Sequence, residues 1–451
     1  MAMISNNLSK LGKAASILAL AFLASLVTFT AQAALPAPVS ASFDKGALFT
    51  VAGYTGSTLS GFPVLVRIAE GSPSGFSYDD LRSKSDGADI AFVDMLGNGL
   101  PYEIDTWDPN GTSLIWVQLP SMVQGTQFVM CWGSDKSGKT ICNANPWSAY
   151  TGVWHMGETE TPSSSDPVAI HDSTENGLDG SAEIGEAVSE GRIGGARRIA
   201  KDKAHAPGIV VDVKTDAAKK AVADSLGTDF HASFWMRTKG VVDYANVIGR
   251  RTGDNGTSWG LQFNENNGNI PKVMRVFAGS TTKNLTSDGL ALGAALAATD
   301  DVWKKVDIIW KSAANNNIPV ADIYLNGVFS ESVSLSEAVV QRDANIGIGC
   351  STQNPYYGNE AGGDDKNKKG RRYNGEMDEV RLGAFVPSAD WIAADYATQS
   401  SPGSFLTAGV AETYMKSDDP IAGVSVSGVS YTNATVTATV VSLGTGATSA
   451  D

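Results

Sequence analysis

Apolar and polar residues alternate with a period of two through most of this chain, and runs rich in glycine, asparagine and aspartate interrupt them. That period places successive side chains on opposite faces of a strand, one toward a core and one away from it. In the stretch from Phe230 to Arg237, Phe230, Ala232, Phe234 and Met236 share one face, and His231, Ser233, Trp235 and Arg237 the other. Val306, Ile308 and Trp310 stand likewise against Lys305 and Asp307. The strand Ala321–Leu325 runs into Asn326-Gly327 ahead of Val328-Phe329, which predicts a two-residue hairpin because both central positions of such a turn need positive φ. Helical signal is thin. Residues Asp216–Leu226 predict a short helix, and Ser388 is placed to cap a helix over Ala389–Thr398 with Trp391, Ile392 and Tyr396 on one side. The expected fold class is all-β.

Two breaks in composition divide the chain. Ser134–Pro146 (SDKSGKTICNANP) and Tyr414–Pro420 (YMKSDDP) interrupt the strand pattern, giving a first β domain at 34–146, a second at 147–412 and a closing segment at 413–451. Ahead of them, Lys10 and Lys13 precede an uncharged apolar run from Ala14 to Phe29, then Ala31-Gln32-Ala33, the three-part pattern of a secretory signal peptide over residues 1–33. The run is shorter than the roughly 20 residues a membrane-spanning helix needs. Export to the periplasm, the cell surface or the medium is therefore expected, with no transmembrane segment in the mature chain. The closing segment alternates Val, Ser and Thr over too few residues to bury a core, and reads as the start of an immunoglobulin- or fibronectin-like module cut short, with continuation past Asp451 left open.

Charge narrows the partners. The 451 residues include 48 acidic and 34 basic ones, a formal charge of −14, which disfavours nucleic acid because its phosphates repel such a surface. Cys131, Cys142 and Cys350 are too few for a disulfide framework or a cysteine-rich zinc site. A Cys131–Cys142 pair across a hairpin stays open, with Cys350 as a buried thiol.

Four ordered blocks, Phe62–Ile68 (FPVLVRI), Asp89–Asp94 (DIAFVD), Leu100–Trp107 (LPYEIDTW) and Trp116–Pro120 (WVQLP), resemble a bacterial family of exported domains of unknown function, number 2341 in that series. From about Trp147 to Glu412 the chain resembles a laminin-G-like jelly roll of the concanavalin A-like lectin and glucanase superfamily. The residues in question are Val153–Met156 (VWHM), Asp172-Ser173 with Asn176-Gly177, Asn374–Arg381 (NGEMDEVR) and Ala389–Ile392 (ADWI). These resemblances imply an N-terminal β-sandwich-like module followed by a jelly roll, in a secreted or surface-displayed protein of the adhesive or glycan-binding sort. Neither brings catalytic residues to positions of this chain.

Glu376-Met377-Asp378-Glu379 is similar to the strand motif of laminarinase-type glycosidases, which need two carboxylates about 5–5.5 Å apart for retaining chemistry. Simple alternation puts Glu376, Asp378 and Val380 on one face and Glu379 on the other, and Val380 and Arg381 stand where the second glutamate belongs. The expectation is that Asp378 and Glu379 bind backbone amides or pair with Arg371, Arg372 or Arg381, and that the protein is not an enzyme. His155, His171, His205 and His231 lack ligand spacing, so no metal ligand is assigned. Asp79-Asp80, Asp172 with Asn176 and Asp179, and Asp364-Asp365 leave a structural Ca²⁺ open, with no other cofactor expected. Lys and Arg within Gly363–Arg372 read as a solvated loop. Sugar binding asks for exposed aromatic faces beside polar groups, and Tyr356 and Tyr357 in a Gly-rich loop, with Trp259 between Ser258 and Gly260, are the carbohydrate-binding candidates. The expected function is non-catalytic recognition of carbohydrate or an extracellular partner. The alternatives are a structural spacer or adhesin segment and, as a minor one, a glycoside hydrolase.

Overall fold

A computed structural model of the chain describes residue 35 and residues 43–414, apart from 164, 183–184, 200–207, 241–244, 252–256, 264–273, 280, 285–300, 314–317, 336, 351 and 353–371. The expected signal peptide at 1–33, and all but the first two residues of the closing segment at 413–451, lie outside the described residues. The fold is all-β, as the alternation predicts.

The first module comprises β1 (Lys45–Val51), β2 (Leu59–Ala69), β3 (Ala91–Asp94), β4 (Tyr102–Thr106), β5 (Thr112–Met122) and β6 (Gln127–Trp132). β1 and β3 flank β6 in one sheet, and β2, β5 and β4 form the other. Alternation sends Phe62, Val64, Val66 and Ile68 of β2, with Ile115, Val117 and Leu119 of β5, into the core between the sheets. The opposite face is buried as well. Leu65, Leu114 and Trp116 pack against Trp147, Tyr150, Val153 and Ile193 of the second module, which is why Phe62–Val66 (FPVLV) is apolar on both faces, while Arg67 beyond it is exposed.

The second module opens with β7 (Tyr150–Trp154), β8 (Val168–Ile170), β9 (Gly180–Ala182), β10 (Glu186–Val188), β11 (Ala196–Ile199), β12 (Ile209–Val211) and α1 (Ala217–Asp224). It continues through β13 (Phe230–Gly240), β14 (Asn246–Arg251), β15 (Thr257–Phe263), β16 (Met274–Ala278), β17 (Thr281–Asn284), β18 (Lys304–Lys311), β19 (Val320–Leu325), β20 (Val328–Ser334), β21 (Ile346–Ile348) and β22 (Asn374–Gly383). Two eight-stranded sheets result, one running β10-β11-β22-β13-β18-β19-β20 with β7 beside β22, the other β17-β16-β15-β14-β21-β12-β9-β8. Phe230, Ala232, Phe234, Met236, Val306, Ile308 and Trp310 all enter the core between them, as their period predicts. Asn326 and Gly327 hold φ of 52° and 79°, the geometry of the expected hairpin, and Asp216 caps α1 through the amides of Ala218 and Lys219.

The structure corrects two expectations and answers one question left open. The first concerns β22. Glu379 takes φ of 50°, and the pairing with β13 slips by a residue between Ser233 and Trp235, so a bulge interrupts the alternation. Met377, Val380 and Leu382 enter the core, while Asp378, Glu379 and Arg381 sit together on the other side. The open question concerns the cysteines. Cys131 and Cys142 are free: Cys131 lies mid-strand, 3.2 Å from the Tyr414 hydroxyl, and burial pushes its thiol up to about 12. No hairpin joins them, because the intervening chain folds into a 3₁₀ turn at Gly138–Thr140. A side chain at Gly138 would collide with the Ile90 carbonyl.

The other correction concerns where the chain goes after β22. Ser388 caps α2 (Ala389–Ser400) as expected, but the helix is wedged between the modules instead of presenting one apolar side. Trp391 and Ala394 join the first module's core, Ile392 packs with Ile309 and Tyr324, and Tyr396 lies against Trp235. The chain then returns to the first module, where β23 (Leu406–Ala408) and β24 (Glu412–Thr413) pair antiparallel with β1. The segment 405–412, which the sequence assigned to the jelly roll, thus completes the sandwich that the chain began. Among the described residues no helix is long and apolar enough to cross a membrane.

Phe405, buried at 1% exposure, joins the first module's core from the far end of the chain. Phe405→Ala is expected to cost about 3–5 kcal/mol. Urea denaturation followed by tryptophan fluorescence should show the loss in one transition, because the two modules share this segment.

Candidate functional site

A cleft of about 1060 Å³ opens where the first module's β4–β5 edge meets the loops of the second. Its floor is built from three local features. On β4, Tyr102 and Ile104 face the sandwich core, so Glu103 and Asp105 face the second module, and the pairing with β5 slips by a residue at Asp105. On β7, Trp154 enters the jelly-roll core and Val153 the interface, so His155, the first residue past the strand, also turns to the interface, and Met156 follows it at φ of 63°. The β22 bulge supplies Glu379 from below. The walls include Trp107 and Asp108, Glu158 and His171, and Arg67, Arg192 and Ser400.

These groups form one continuous polar seam. His155 Nδ1 lies 2.7 Å from Glu379 Oε1 and 3.5 Å from Asp105 Oδ2, and its Nε2 lies 3.3 Å from Glu103 Oε2. Trp147 Nε1 donates to Glu103 Oε2, and Trp116 Nε1 to Asp105 Oδ2 at 3.1 Å. Glu379 Oε2 accepts from Arg381 Nη2 at 2.5 Å, and Arg381 Nη1 donates to Asp395 of α2 at 3.1 Å. Asp395 in turn lies 2.7 Å from Lys305, which pairs with Asp307 at 2.7 Å. The Arg381 guanidinium lies 4.3 and 4.6 Å from the ring centres of Trp116 and Trp147, cation–π contacts of which the first reaches the first module. Asp378 Oδ2 accepts from the amides of Arg192 and Ile193, holding the β10–β11 loop that lines the cleft.

Burial sets the protonation of this seam, and neighbouring charges correct it. Burial raises Asp105 to about 7; the proximity of Glu379 adds to the rise and that of His155 opposes it. Burial alone would strip His155 of its proton, but Glu379, Asp105 and Glu103 outweigh it and hold the imidazole charged. Burial would also raise Glu379, yet His155 and Arg381 keep it ionised below the usual range. Asp378 is raised by burial and by Glu379 and Asp105. His231, buried beside Lys305, falls to about 3 and stays neutral.

The residues singled out from the sequence fall elsewhere. Tyr356, Tyr357, Asp364 and Asp365 lie outside the described residues. Trp259 is corrected: it is wholly buried, edge-on to Phe230 at 5.3 Å and beside Trp310 at 5.7 Å, because β15 turns it into the jelly-roll core. The expected oxygen cluster at Asp172 is consumed locally. Its carboxylate accepts from the amides of Val153, Thr174 and Leu178 and from the Thr174 hydroxyl. Asp79 and Asp80 pair with Lys84 and Lys45. Asp378 and Glu379 meet backbone amides and Arg381, as expected. His155, Glu103 and Asp105 were missed as site residues. Their signal was Glu103 and Asp105 two apart in YEIDT, two carboxylates on one face of a strand.

No family model matches the chain, and a search of curated proteins finds no match. Among solved structures, the chain is similar to domain 4 of AbnA, a GH43 extracellular arabinanase from Geobacillus stearothermophilus, in complex with arabinotriose. The match covers 55% of this chain and 98% of that one, at 13% identity and a TM-score of 0.35. The binding domain of Paraclostridial Mosquitocidal Protein 1 is matched over 55% of this chain and 52% of its own, at 14% identity and 0.37. A Trypanosoma rangeli sialidase in complex with 2,3-difluorosialic acid is matched over 65% and 42%, at 11% identity and 0.37. The chain thus spans about half or less of the latter two, and these likenesses concern the fold alone.

Two outcomes are expected. Trp259→Ala costs roughly 3–5 kcal/mol in chemical denaturation by opening a core cavity. Asp105 carries a raised pKa in the folded state, so the folded chain holds a proton between about pH 4 and 7 that the unfolded chain has released. Its contribution to stability is therefore full below pH 4 and lost as pH rises toward 7. Asp105→Asn should flatten the decline in Tm over that window by several degrees relative to the parent chain, measured by calorimetry at pH 4, 5, 6, 7 and 8.

Proposed function

We propose that this chain is a non-catalytic binding segment of an exported protein, built from a module of the exported-domain family named above and a laminin-G-like jelly roll, and that carbohydrate is the ligand of the cleft between them. The observation behind this reading is the cleft itself. It combines hydrogen-bonding groups of both signs, Glu103, Asp108, Arg67 and Arg192, with the partly exposed indole of Trp107. Carboxylates and guanidinium groups take sugar hydroxyls, and an indole face takes the C–H face of a ring.

Binding is favoured over hydrolysis by how the deepest carboxylates are spent. Glu379 and Asp378, at 1% and 0% exposure, are held by Arg381 and His155 and by two backbone amides, out of reach of a substrate. A rigid spacer is the second reading, favoured by the strands β23 and β24 that tie the end of the second module into the first.

A glycan array probed with residues 34–414 separates the two. Under the carbohydrate reading, bound glycans lose at least tenfold in affinity when the exposed wall residues are changed in Arg67→Ala and His171→Ala, with Tm unchanged. An array that stays silent overturns the carbohydrate reading and favours the spacer.

A further inference from the structure

We propose that Asp105, His155 and Glu379 form a binding site for a divalent transition-metal ion of the zinc class, at the floor of the cleft where the two modules meet. The proposal is independent of what the cleft itself binds.

The donor atoms already converge. One carboxylate oxygen from each acid and one ring nitrogen lie within 4.8 Å of one another. His155 Nδ1 is 2.7 Å from Glu379 Oε1 and 3.5 Å from Asp105 Oδ2. Metal–ligand bonds of about 2.0–2.1 Å in a tetrahedron place ligand atoms roughly 3.3 Å apart, so small side-chain movements suffice. A single imidazole with two carboxylates is a donor set that suits zinc and its neighbours better than calcium, which takes six or more oxygens.

The surroundings are those a ligating histidine needs. Its remote nitrogen, Nε2, faces Glu103 Oε2 at 3.3 Å, so an Nε2–H donated to that carboxylate leaves the Nδ1 lone pair aimed at Asp105 and Glu379. Glu103 is itself fixed by Trp147 Nε1. The second oxygens of the ligating acids are also engaged, Asp105 Oδ1 by the Thr106 hydroxyl and Glu379 Oε2 by Arg381. The His155 ring lies nearly parallel to Trp116, 6.3 Å between centres. Asp105, His155 and Glu103 line the cleft, so an ion has an entry path and water can complete its coordination.

One further observation points to a cation. Asp378, wholly buried and influenced electrostatically by Glu379 and Asp105, keeps its Oδ1 without a hydrogen bond among the described residues. Binding exchanges protons for the ion: the Nδ1 proton of His155 leaves to solvent as the metal–nitrogen bond forms, and where Asp105 is protonated its proton leaves as well when the metal–oxygen bond forms.

The test uses the full chain, stripped with EDTA and titrated with Zn²⁺ by calorimetry and with Co²⁺ by visible absorption. Expected are one Zn²⁺ per chain, a rise in Tm on its addition, and a Co²⁺ spectrum of low coordination number. Asp105→Asn should abolish the Co²⁺ spectrum, and Glu103→Gln, which leaves all three ligands in place, should weaken Zn²⁺ by about 10–100-fold. Circular dichroism of both variants establishes that they are folded. The proposal is overturned if the folded parent chain takes up neither ion at millimolar concentration. It is equally overturned if the ions bind with unchanged affinity in Asp105→Asn and Glu103→Gln, which would place them at another site.

Discussion

The arrangement of this molecule depends on a buried run of charge that neither module could bury alone. Lys305 and Arg381 of the jelly roll, Asp395 of the connecting helix, Glu379 of the β22 bulge, His155 behind β7, and Glu103 and Asp105 of the first module are linked by contacts of 2.5–3.5 Å. A charge left unpaired in such a place is far costlier than the pair is favourable. The modules are therefore held in the one placement that pairs these groups, and the indoles of Trp116 and Trp147 over Arg381 add a contact that tolerates little sliding.

That placement makes the cleft. Had β22 kept a regular pleat, Glu379 would have pointed into the apolar core occupied by Met377 and Val380. The left-handed turn at Glu379 instead delivers Asp378, Glu379 and Arg381 to one side, each to a different partner: the amides of the β10–β11 loop, His155, and α2. The bulge thus acts on the cleft twice, fixing one of its loops and holding His155 of its floor from beneath.

The path of the chain supports the same geometry. The helix α2 sits between the modules, with Thr398 Oγ1 accepting from the Leu65 amide at 3.0 Å and Gln399 bonded to both Trp235 and Asp395. Beyond it, β23 and β24 extend the first module's sheet along β1. A connection that would ordinarily be a hinge is replaced by shared secondary structure, so the walls of the cleft belong to one packed body from β1 to β24.

The all-β class, the Asn326-Gly327 hairpin, the short helix after Asp216, the cap at Ser388 and the core faces of β13 and β18 were all legible in the sequence. Each depends on residues within a few positions of one another, through a period of two or the conformational needs of a turn. The carbohydrate candidate Trp259 was misread because an aromatic residue at the head of a strand has the same local pattern whether its face is covered or open, and only the opposing Phe230 and Trp310 decide. The seam could not be read at all beyond two acids on one face of YEIDT. Its members stand between Glu103 and Asp395 in the chain, and what makes them a site is a slip of register at Asp105 and another at Glu379, together with the burial of each module's outer face by the other. The sequence by itself determined the strands, their turns and the alternation that builds each sandwich. Only the tertiary structure decided which charges meet, because pairing across two modules and the loss of water around the pairs are properties of the assembled interface.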